Sequence, residues 1–395
     1  MKLNVLSLFD GMSCGQQALE RCGIEIENYF ASEIDKYAIQ VTMANYPNTI
    51  QLGSVVDVNG FDLPKIDLLI GGSPCQSFSF AGKRKGMATK CETEILTLEH
   101  YLELKAEGYE FEGQSYLFWE FMRLLNETKP KYFLLENVEM GEKWEKVLSK
   151  AIGVNGIHIN SALVSAQNRK RIYWTNIGMQ PGGLFGDLES IIQQPKDKGI
   201  LLKDILESEV NEKYFLSEKT VATIIRHGNK IIDDKENPKQ SCTIHANYFK
   251  MGGRDQQYII HNMMPRSSTT GKGGTGHLSR NDGKTYCLDT GNTNSVELRN
   301  VKQINPLLES GGKQPYQQNR IYDIHGISPA LQAQLPYGSN IINTSRIRRL
   351  TPIECERLQT VKDNYTNHVS DSQRYKMLGN GWTIDVIAHI FNYLK

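Results

Sequence analysis

The sequence has no long apolar run and almost no excess of either charge. No stretch approaches the ~20 consecutive apolar residues that a membrane-spanning helix needs. Among 395 residues, Lys and Arg number 45 and Asp and Glu number 44, which gives a net charge of +1. A polyanionic partner would therefore have to be bound by clustered cations rather than by the overall field. We expect a soluble globular protein of two or three domains with no membrane partner.

The sequence also lacks any Cys-x-x-Cys pair, although it contains seven cysteines. An odd number of cysteines without paired spacing argues against a disulfide framework and against a zinc site, so no metal centre is expected. The short apolar segment Met1–Phe9 is too brief for the hydrophobic core of a signal peptide. These observations predict a cytoplasmic protein in which one cysteine could be a reactive thiol.

Short apolar runs alternate with amphipathic stretches from residue 3 to about residue 180. The runs predict buried strands at 3–9, 29–32, 66–70 and 132–135, and the stretches between them predict helices at 15–22, 35–45 and 116–127. Strands that alternate with helices in this way indicate the α/β class, here a doubly wound, Rossmann-like sheet.

Residues 187–345 are rich in Gly, Ser, Thr, Asn and Gln and predict a second, smaller, loop-rich domain. The chain is thereby divided into 1–186, 187–345 and a segment 346–395 that returns to the first domain. In this last segment, Thr351 to Glu354 predicts a capped helix start with proline at the first helical position, and 383–394 predicts an amphipathic helix.

Residues 87–112 carry seven glutamates against two lysines. Ile95, Leu98 and Leu102 have helical spacing, which predicts an exposed helix with one packed stripe. A charge run of this kind is usually a solvated face, so we assign it no role in chemistry.

Two loops near the start of the sheet have the character of a nucleotide pocket. The first strand runs through Phe9 and Gly11 into a helix, and the next strand is followed by Glu33, a carboxylate that could bind a ribose diol. The pattern is not Gly-x-Gly-x-x-Gly, and an ordinary strand-to-helix turn remains an alternative.

Three further strand ends carry reactive groups. Cys75 follows an apolar strand within a loop and is either a small buried residue or a nucleophile with a lowered pKa. Glu136 ends another strand and is either an active-site carboxylate or the partner in a structural cap or salt bridge. Arg169 and Arg171 precede an apolar run, and strand alternation would point both side chains to one side.

Together these residues form an order that resembles the DNA cytosine-5 methyltransferases. The similarity covers about 1–180 and 345–395, and 187–345 lies where that family has its variable target-recognition domain. The opening Phe9-Asp10-Gly11 and the Gly-Asn-Gly-Trp sequence that ends at Trp382 are also similar to the animal de novo enzymes. The matching motifs are Phe9-x-Gly11, Glu33, Pro74-Cys75-Gln76, Glu136-Asn137-Val138, Gln167-x-Arg169-x-Arg171, Arg349-Leu-Thr-Pro352-x-Glu354-Cys-x-Arg357 and Gly379-Asn380.

The resemblance implies a role for each catalytic candidate. Cys75 would add to C6 of cytosine, which makes C5 nucleophilic towards a methyl donor. Glu136 would interact with N3 of the ring, and Arg169 would bind the base carbonyl. Arg171 would support Glu136 or bind the same oxygen. The ring atoms are inaccessible inside double-stranded DNA, so the base would have to be flipped out.

The resemblance also implies S-adenosylmethionine as cofactor. Phe9 and Gly11 would surround its methionine and adenine, Glu33 would bind the ribose, and Asn380 would close the pocket. Many relatives have an aspartate beside the adenine where this chain has Ser54, and Gly381 stands where some relatives have serine. The full expected lining is Phe9, Asp10, Gly11, Met12, Glu33, Ile34, Ser54, Pro74, Asn380 and Trp382.

Three rival functions are weighed against this one. A tRNA methyltransferase of the same fold would lack an extended variable domain, and a catalytically dead DNA-binding module would be expected to lack the cysteine, the acid or the arginine. A nicotinamide oxidoreductase would leave the Cys, Glu and Arg set unexplained. We therefore expect a monomeric enzyme on double-stranded DNA, serving restriction-modification or phage self-protection, with any cognate restriction endonuclease acting separately.

Overall fold

The computed structural model describes residues 2–74, 87–91, 93–182, 187–215 and 348–394, together with three two-residue strands. Cys75 and most of the predicted second domain lie outside the described residues. The strands are β1 (Leu3–Leu8), β2 (Ile26–Ser32), β3 (Ile50–Gln51), β4 (Leu68–Gly72), β5 (Tyr132–Val138), β6 (Ile157–Asn160), β7 (Lys170–Thr175), β8 (Met179–Gly182), β9 (Asp187–Ser190), β10 (His261–Asn262), β11 (Leu278–Ser279), β12 (Ser295–Val296) and β13 (Arg348–Arg349).

Helices separate most of the strands. The α-helices are α1 (Cys14–Arg21), α2 (Lys36–Asn45), α3 (Leu98–Ala106), α4 (Phe118–Thr128), α5 (Glu142–Ile152), α6 (Leu202–Ile205), α7 (Pro352–Leu358), α8 (Asp371–Asn380) and α9 (Ile384–Phe391). Single 3₁₀ turns occur at Gly60–Asp62, Ser115–Leu117, Ser161–Leu163, Glu212–Tyr214 and Asn392–Leu394. None of the helices in the described part of the chain is long and apolar enough to cross a lipid bilayer.

Seven strands form one sheet in the order β3-β2-β1-β4-β5-β7-β6. The strands from β3 to β5 are parallel to one another, and β7 runs antiparallel to both β5 and β6. The order reverses between β1 and β4, which creates a crevice at their carboxyl ends. The predicted Rossmann-like, doubly wound α/β sheet is confirmed.

Apolar residues bury both faces of this sheet. Leu68 and Ile70 belong to one core cluster, whereas Leu69 between them belongs to the other. Side chains alternate between faces along a strand, so a fully apolar run such as β4 fits only a sheet that is covered on both sides. Helices α1 and α9 pack on the first face, and α4 with Trp119 packs on the second.

The predicted strands and helices of the first domain correspond to β1, β2, β4, β5, α1, α2 and α4, with ends that differ by a few residues. The helix start at Thr351 is also confirmed, because Thr351 and Glu354 form a reciprocal capping box with Pro352 in the first turn. The terminal helix is α9.

Residues 187–215 pack against the first core cluster through Ile192, Ile205 and Tyr214. The Glu207 backbone N–H donates to Glu354 at 2.9 Å, and the Tyr214 hydroxyl donates to Asp371 at 2.9 Å. The start of the predicted second domain is therefore fastened to α7 and α8.

The acidic segment 87–112 contains α3, as predicted, and its packed stripe agrees with the prediction in part, because Ile95 is fully buried and Leu98 packs against the second core cluster. Leu102 is exposed, whereas Tyr101 and Leu104 are buried. The face is set by the fully buried carboxylate of Glu120 on α4, which accepts from the Tyr101 hydroxyl at 2.5 Å and from Lys105 Nζ at 2.5 Å. The hydrogen bonds to Glu120 thus hold the Tyr101 side of α3 against the core.

Candidate active site

The loop between β1 and α1 lies at the edge of the sheet and contains three residues with left-handed backbone conformation. Phe9, Gly11 and Ser13 have φ angles of 57°, 58° and 61°. Non-glycine residues rarely adopt this left-handed region, and such residues concentrate at functional sites. The loop is fastened from the C-terminal segment by Tyr365, whose hydroxyl donates to the Met12 carbonyl at 2.7 Å.

The Glu33 carboxylate is fixed at the end of β2 by backbone donors. Its Oε2 accepts from the Gly11 N–H at 2.8 Å, and its Oε1 accepts from Ile34 and Asp35 N–H at 2.7 and 2.8 Å. The first of these bonds joins the β2 end to the strained loop. The sequence-predicted ribose carboxylate and the Phe9–Gly11 loop are therefore brought together.

Asp10 lies beneath this loop and is 8% exposed. Tyr29 donates to its Oδ1 at 2.8 Å, while its Oδ2 has no hydrogen-bond partner among the described residues. Burial raises the pKa of the Asp10 carboxyl to about 6, although the hydrogen bond from Tyr29 lowers it. The carboxyl therefore titrates close to neutral pH.

The other predicted cofactor residues occupy different depths. Met12 is fully buried, and the Ile34 side chain is 72% exposed next to Glu33. Ser54 is half-buried, Pro74 is half-buried at the last described position after β4, and Asn380 is exposed at the end of α8. Ile34 thus offers apolar surface beside the carboxylate.

Glu136 and Arg171 form a buried ion pair at the carboxyl end of β5. Arg171 Nε lies 2.8 Å from Glu136 Oε1, and the two side chains are about nine-tenths buried. The pair arises from register, since β5 and β7 are antiparallel neighbours with Val138 opposite Arg171. Trp382 adds a second donor, its Nε1 lying 3.2 Å from Glu136 Oε2.

Arg169 binds the C-terminal segment in this structure. Its Nη1 donates to the Gly379 carbonyl at 3.3 Å and its Nη2 to the Gly381 carbonyl at 2.9 Å. Arg169 therefore holds the segment that contains Trp382. Arg171 holds Glu136, which Trp382 contacts.

Among the described cysteines, Cys14 contacts the segment that contains Trp382, with its Sγ 3.9 Å from the Trp382 carbonyl oxygen. Burial raises the pKa of the Cys14 thiol to about 12. A thiol of this kind stays protonated and is a poor nucleophile. The predicted nucleophile Cys75 lies outside the described residues, three positions beyond Gly72 at the end of β4.

Residues 3–395 match the family described as C-5 cytosine-specific DNA methylase. The chain belongs to this family. The methylase is 26% identical to the orphan methyltransferase M.SPRI of Bacillus phage SPR, across 100% of this chain and 97% of that relative. It is 27% identical to the type II methyltransferase M.BanI of Aneurinibacillus aneurinilyticus, across 100% of this chain and 96% of that relative.

Solved structures share the fold of the methylase. The Entamoeba histolytica methyltransferase EhMeth has a TM-score of 0.57 at 17% identity, covering 100% of this chain and 99% of that one. The S. pombe Dnmt2 methyltransferase has a TM-score of 0.56 at 14% identity, covering 100% of both chains. At these identities the similarity concerns the fold alone.

Two residues of the methylase site escaped the sequence analysis. Gln359 is fully buried, and its Nε2 donates to the Leu378 carbonyl at 2.6 Å and the Gly381 carbonyl at 3.2 Å. Gly72 leaves room for two site residues, because an added Cβ would lie 2.8 Å from Trp382 Nε1 and 3.1 Å from Glu136 Oε2. The Gly71-Gly72 pair at the end of an apolar strand was the visible signal for this close approach, whereas nothing local marked Gln359.

Proposed function

We propose that this methylase transfers a methyl group from S-adenosylmethionine to C5 of a cytosine flipped out of double-stranded DNA, through a covalent adduct with Cys75. The observation that carries the proposal is the buried pair of Glu136 and Arg171 beside the end of β4, the strand that leads directly to Cys75. Membership of the cytosine-C5 family supports the same reaction.

The cofactor side of the crevice fits S-adenosylmethionine. Glu33 is held in place by backbone donors, and a carboxylate of fixed orientation is the acceptor that a ribose diol requires. The exposed Ile34 beside it offers an apolar face for adenine. S-adenosylmethionine, when bound, supplies an electrophilic methyl group on a positively charged sulfur. The residues proposed to hold it are Phe9, Asp10, Gly11, Met12, Glu33, Ile34, Ser54, Pro74, Asn380 and Trp382.

The chain's own residues prepare the cytosine for attack. The Cys75 thiolate adds to C6, and electron density moves into the ring so that C5 becomes nucleophilic. Glu136 donates a hydrogen bond to N3 of the ring and stabilises the negative charge that develops there. Arg171 holds Glu136, and Arg169 is the candidate for the base carbonyl in addition to its contacts with the C-terminal segment. With the methyl group on C5, loss of the C5 proton to water restores the C5–C6 double bond and expels the Cys75 thiolate.

Trapping on modified DNA tests the covalent step. Duplexes with 5-fluorocytosine at the target should form a denaturation-resistant complex in the presence of S-adenosylmethionine, because fluorine prevents the final elimination. Cys75→Ser should form none, whereas Cys91→Ser, which alters an exposed cysteine, should trap like the wild type. Trapping by Cys75→Ser at the wild-type level would refute the proposal.

We also propose that residues 187–345 choose the DNA sequence, since the candidate catalytic residues all lie outside this segment. Residues 187–215 pack on the catalytic core, so a graft should exchange 216–345 for the same segment of a relative with another target. Sequencing of 5-methylcytosine should then show methylation at the new site with unchanged chemistry. An active chimera that still modified the original site would place recognition elsewhere.

RNA is the alternative substrate, because a tRNA methyltransferase of the same fold is the first of the rival functions that the sequence leaves to be weighed. The same 5-fluorocytosine assay on a transfer RNA separates the two possibilities. We expect trapping on DNA only, and trapping on RNA alone would contradict the proposal. The biological role we propose is restriction-modification or phage self-protection, by a monomer acting in the cytoplasm independently of any cognate nuclease.

A further inference from the structure

We propose that Trp382 is a positioning residue for Glu136: its indole N–H fixes the carboxylate plane in which Glu136 meets the flipped cytosine. The inference rests on the proposed function and deepens it. It gives Trp382 a part in the methyl-transfer step that is separate from holding the cofactor.

Each oxygen of Glu136 lies close to a donor from a different part of the chain. Arg171 Nε lies 2.8 Å from Oε1, and Trp382 Nε1 lies 3.2 Å from Oε2. Both Glu136 and Trp382 are less than one-tenth exposed, so water competes little for these bonds. The carboxylate is therefore held at both ends by protein groups from two separate parts of the chain.

Two donors are needed because of the torsion that ends a glutamate side chain. The last torsion of glutamate joins an sp³ carbon to the carboxylate and is broad, so a single donor leaves the carboxylate plane free to turn. A second donor on the other oxygen fixes the plane and hence the direction in which the carboxyl group meets N3 of the ring. The indole does this without adding a second formal positive charge.

The Trp382 backbone is itself held in place from the catalytic side. Arg169 donates to the carbonyls of Gly379 and Gly381, and Gln359 donates to that of Gly381 as well. An added Cβ at Gly381 would lie 2.7 Å from Met12 Cε, so the segment also packs closely on the cofactor loop. The indole is thus presented to Glu136 from a rigid support.

Gly72 gives an independent observation for the same contact. The indole N–H and the Glu136 carboxylate meet over the last residue of β4, where an added Cβ would lie only 2.8 Å from Trp382 Nε1. Any side chain at this position would have to displace the indole or the carboxylate. The strand therefore ends in a glycine at the one point where the two groups meet.

The test separates methyl transfer from cofactor binding. Trp382→Phe keeps a ring but removes the N–H, and we expect the single-turnover methylation rate at saturating DNA and cofactor to fall about tenfold, the scale of one hydrogen bond to a charged group. The dissociation constant of S-adenosylhomocysteine, measured by calorimetry, should change much less than the rate, because the phenyl ring keeps the apolar face that Trp382 is proposed to present to the cofactor. An increase in that constant with an unchanged saturating rate would overturn the proposal.

The matched control is Trp119→Phe. Trp119 is fully buried on α4, and its indole nitrogen has no hydrogen-bond partner in the described part of the chain. The same substitution there changes ring size without removing a hydrogen bond, and it should leave the saturating rate near the wild-type value. Melting temperatures of both variants check that each is folded.

A double-mutant cycle shows whether Trp382 acts through Glu136. In a Glu136→Gln background, Trp382→Phe should lower the rate much less than in the wild type, because the carboxylate it orients is absent. An equal effect in both backgrounds would overturn the proposal. If Trp382→Phe does not fold, Gly72→Ala tests the same contact. We expect it to show the same loss of rate with unchanged cofactor affinity.

The 5-fluorocytosine complex distinguishes this proposal from the function on which it rests. A wild type that forms no adduct refutes the proposed function. A wild type that forms the adduct, together with a Trp382→Phe variant that methylates at the wild-type rate, refutes only the role of Trp382.

Discussion

Residues 9–54, which include most of the proposed cofactor residues, and the proposed catalytic side around Glu136 are held by contacts of very different range. Glu33 is fixed by Gly11, which is 22 positions away, and by its immediate neighbours. Glu136 is held by Arg171 on an antiparallel strand and by Trp382, which is 246 positions away. The first carboxylate is thus oriented by local chain geometry, whereas the second requires the return of the C-terminal segment to the sheet.

The largest expected effect concerns the catalytic side. Glu136→Gln should lower the single-turnover methylation rate by about two to four orders of magnitude, the usual contribution of a positioned acid–base group. Binding of S-adenosylhomocysteine should be nearly unchanged, because Glu136 does not belong to the 9–54 side. A comparable loss of cofactor affinity would show that the two sides are not separate.

Glu33→Ala should have the reverse pattern with a smaller effect. Loss of the carboxylate that we propose to hydrogen-bond the ribose should weaken cofactor affinity by about 10- to 100-fold. The saturating rate should change little, and Glu33→Gln, which keeps the acceptor for the Gly11 N–H, should lose less affinity. Calorimetry and single-turnover kinetics on the same preparations check both statements.

Asp10→Asn tests the buried titration beneath the cofactor loop. The pKa of Asp10 is raised from 3.8 to about 6 in the folded state, so its stabilising contribution is full below the unfolded value and is lost as pH rises through the folded value. The wild type should lose this contribution between pH 4 and pH 8, whereas asparagine does not titrate. The free energy of unfolding of the variant minus that of the wild type should therefore rise by on the order of 2 kcal/mol from pH 4 to pH 8. Urea denaturation at the two pH values measures the difference, and parallel profiles for the two proteins would contradict the assignment.

The smallest effect is expected in the acidic segment that lies outside both sides. Glu99, Glu103 and Glu107 are exposed on or beside α3, and their charge should repel phosphate rather than bind it. Replacing all three by glutamine should leave both the methylation rate and the cofactor affinity unchanged. Loss of DNA binding by a folded triple variant would show that α3 contacts the duplex.

The difference in range also explains what the sequence could predict. The apolar run of β4, the Thr351–Glu354 capping box and the placement of Glu33 after β2 are local signals, and the structure shows all three. The burial of Tyr101 and Leu104 in place of Leu102 was missed because Tyr101 binds a buried carboxylate on another helix. The contact of Trp382 with Glu136 depends on tertiary approach, which no periodicity or spacing encodes.

The chain on either side of residues 216–347 contacts one patch of the catalytic core. Glu207 contacts both Thr351 and Glu354, and Tyr214 contacts Asp371, so the chain leaves and rejoins the core at neighbouring points. The entropy of closing a loop between fixed ends grows only slowly, by about 0.6 kcal/mol for each doubling of its length. The exchange of 216–345 for the segment of a relative should therefore cost the catalytic sheet little stability.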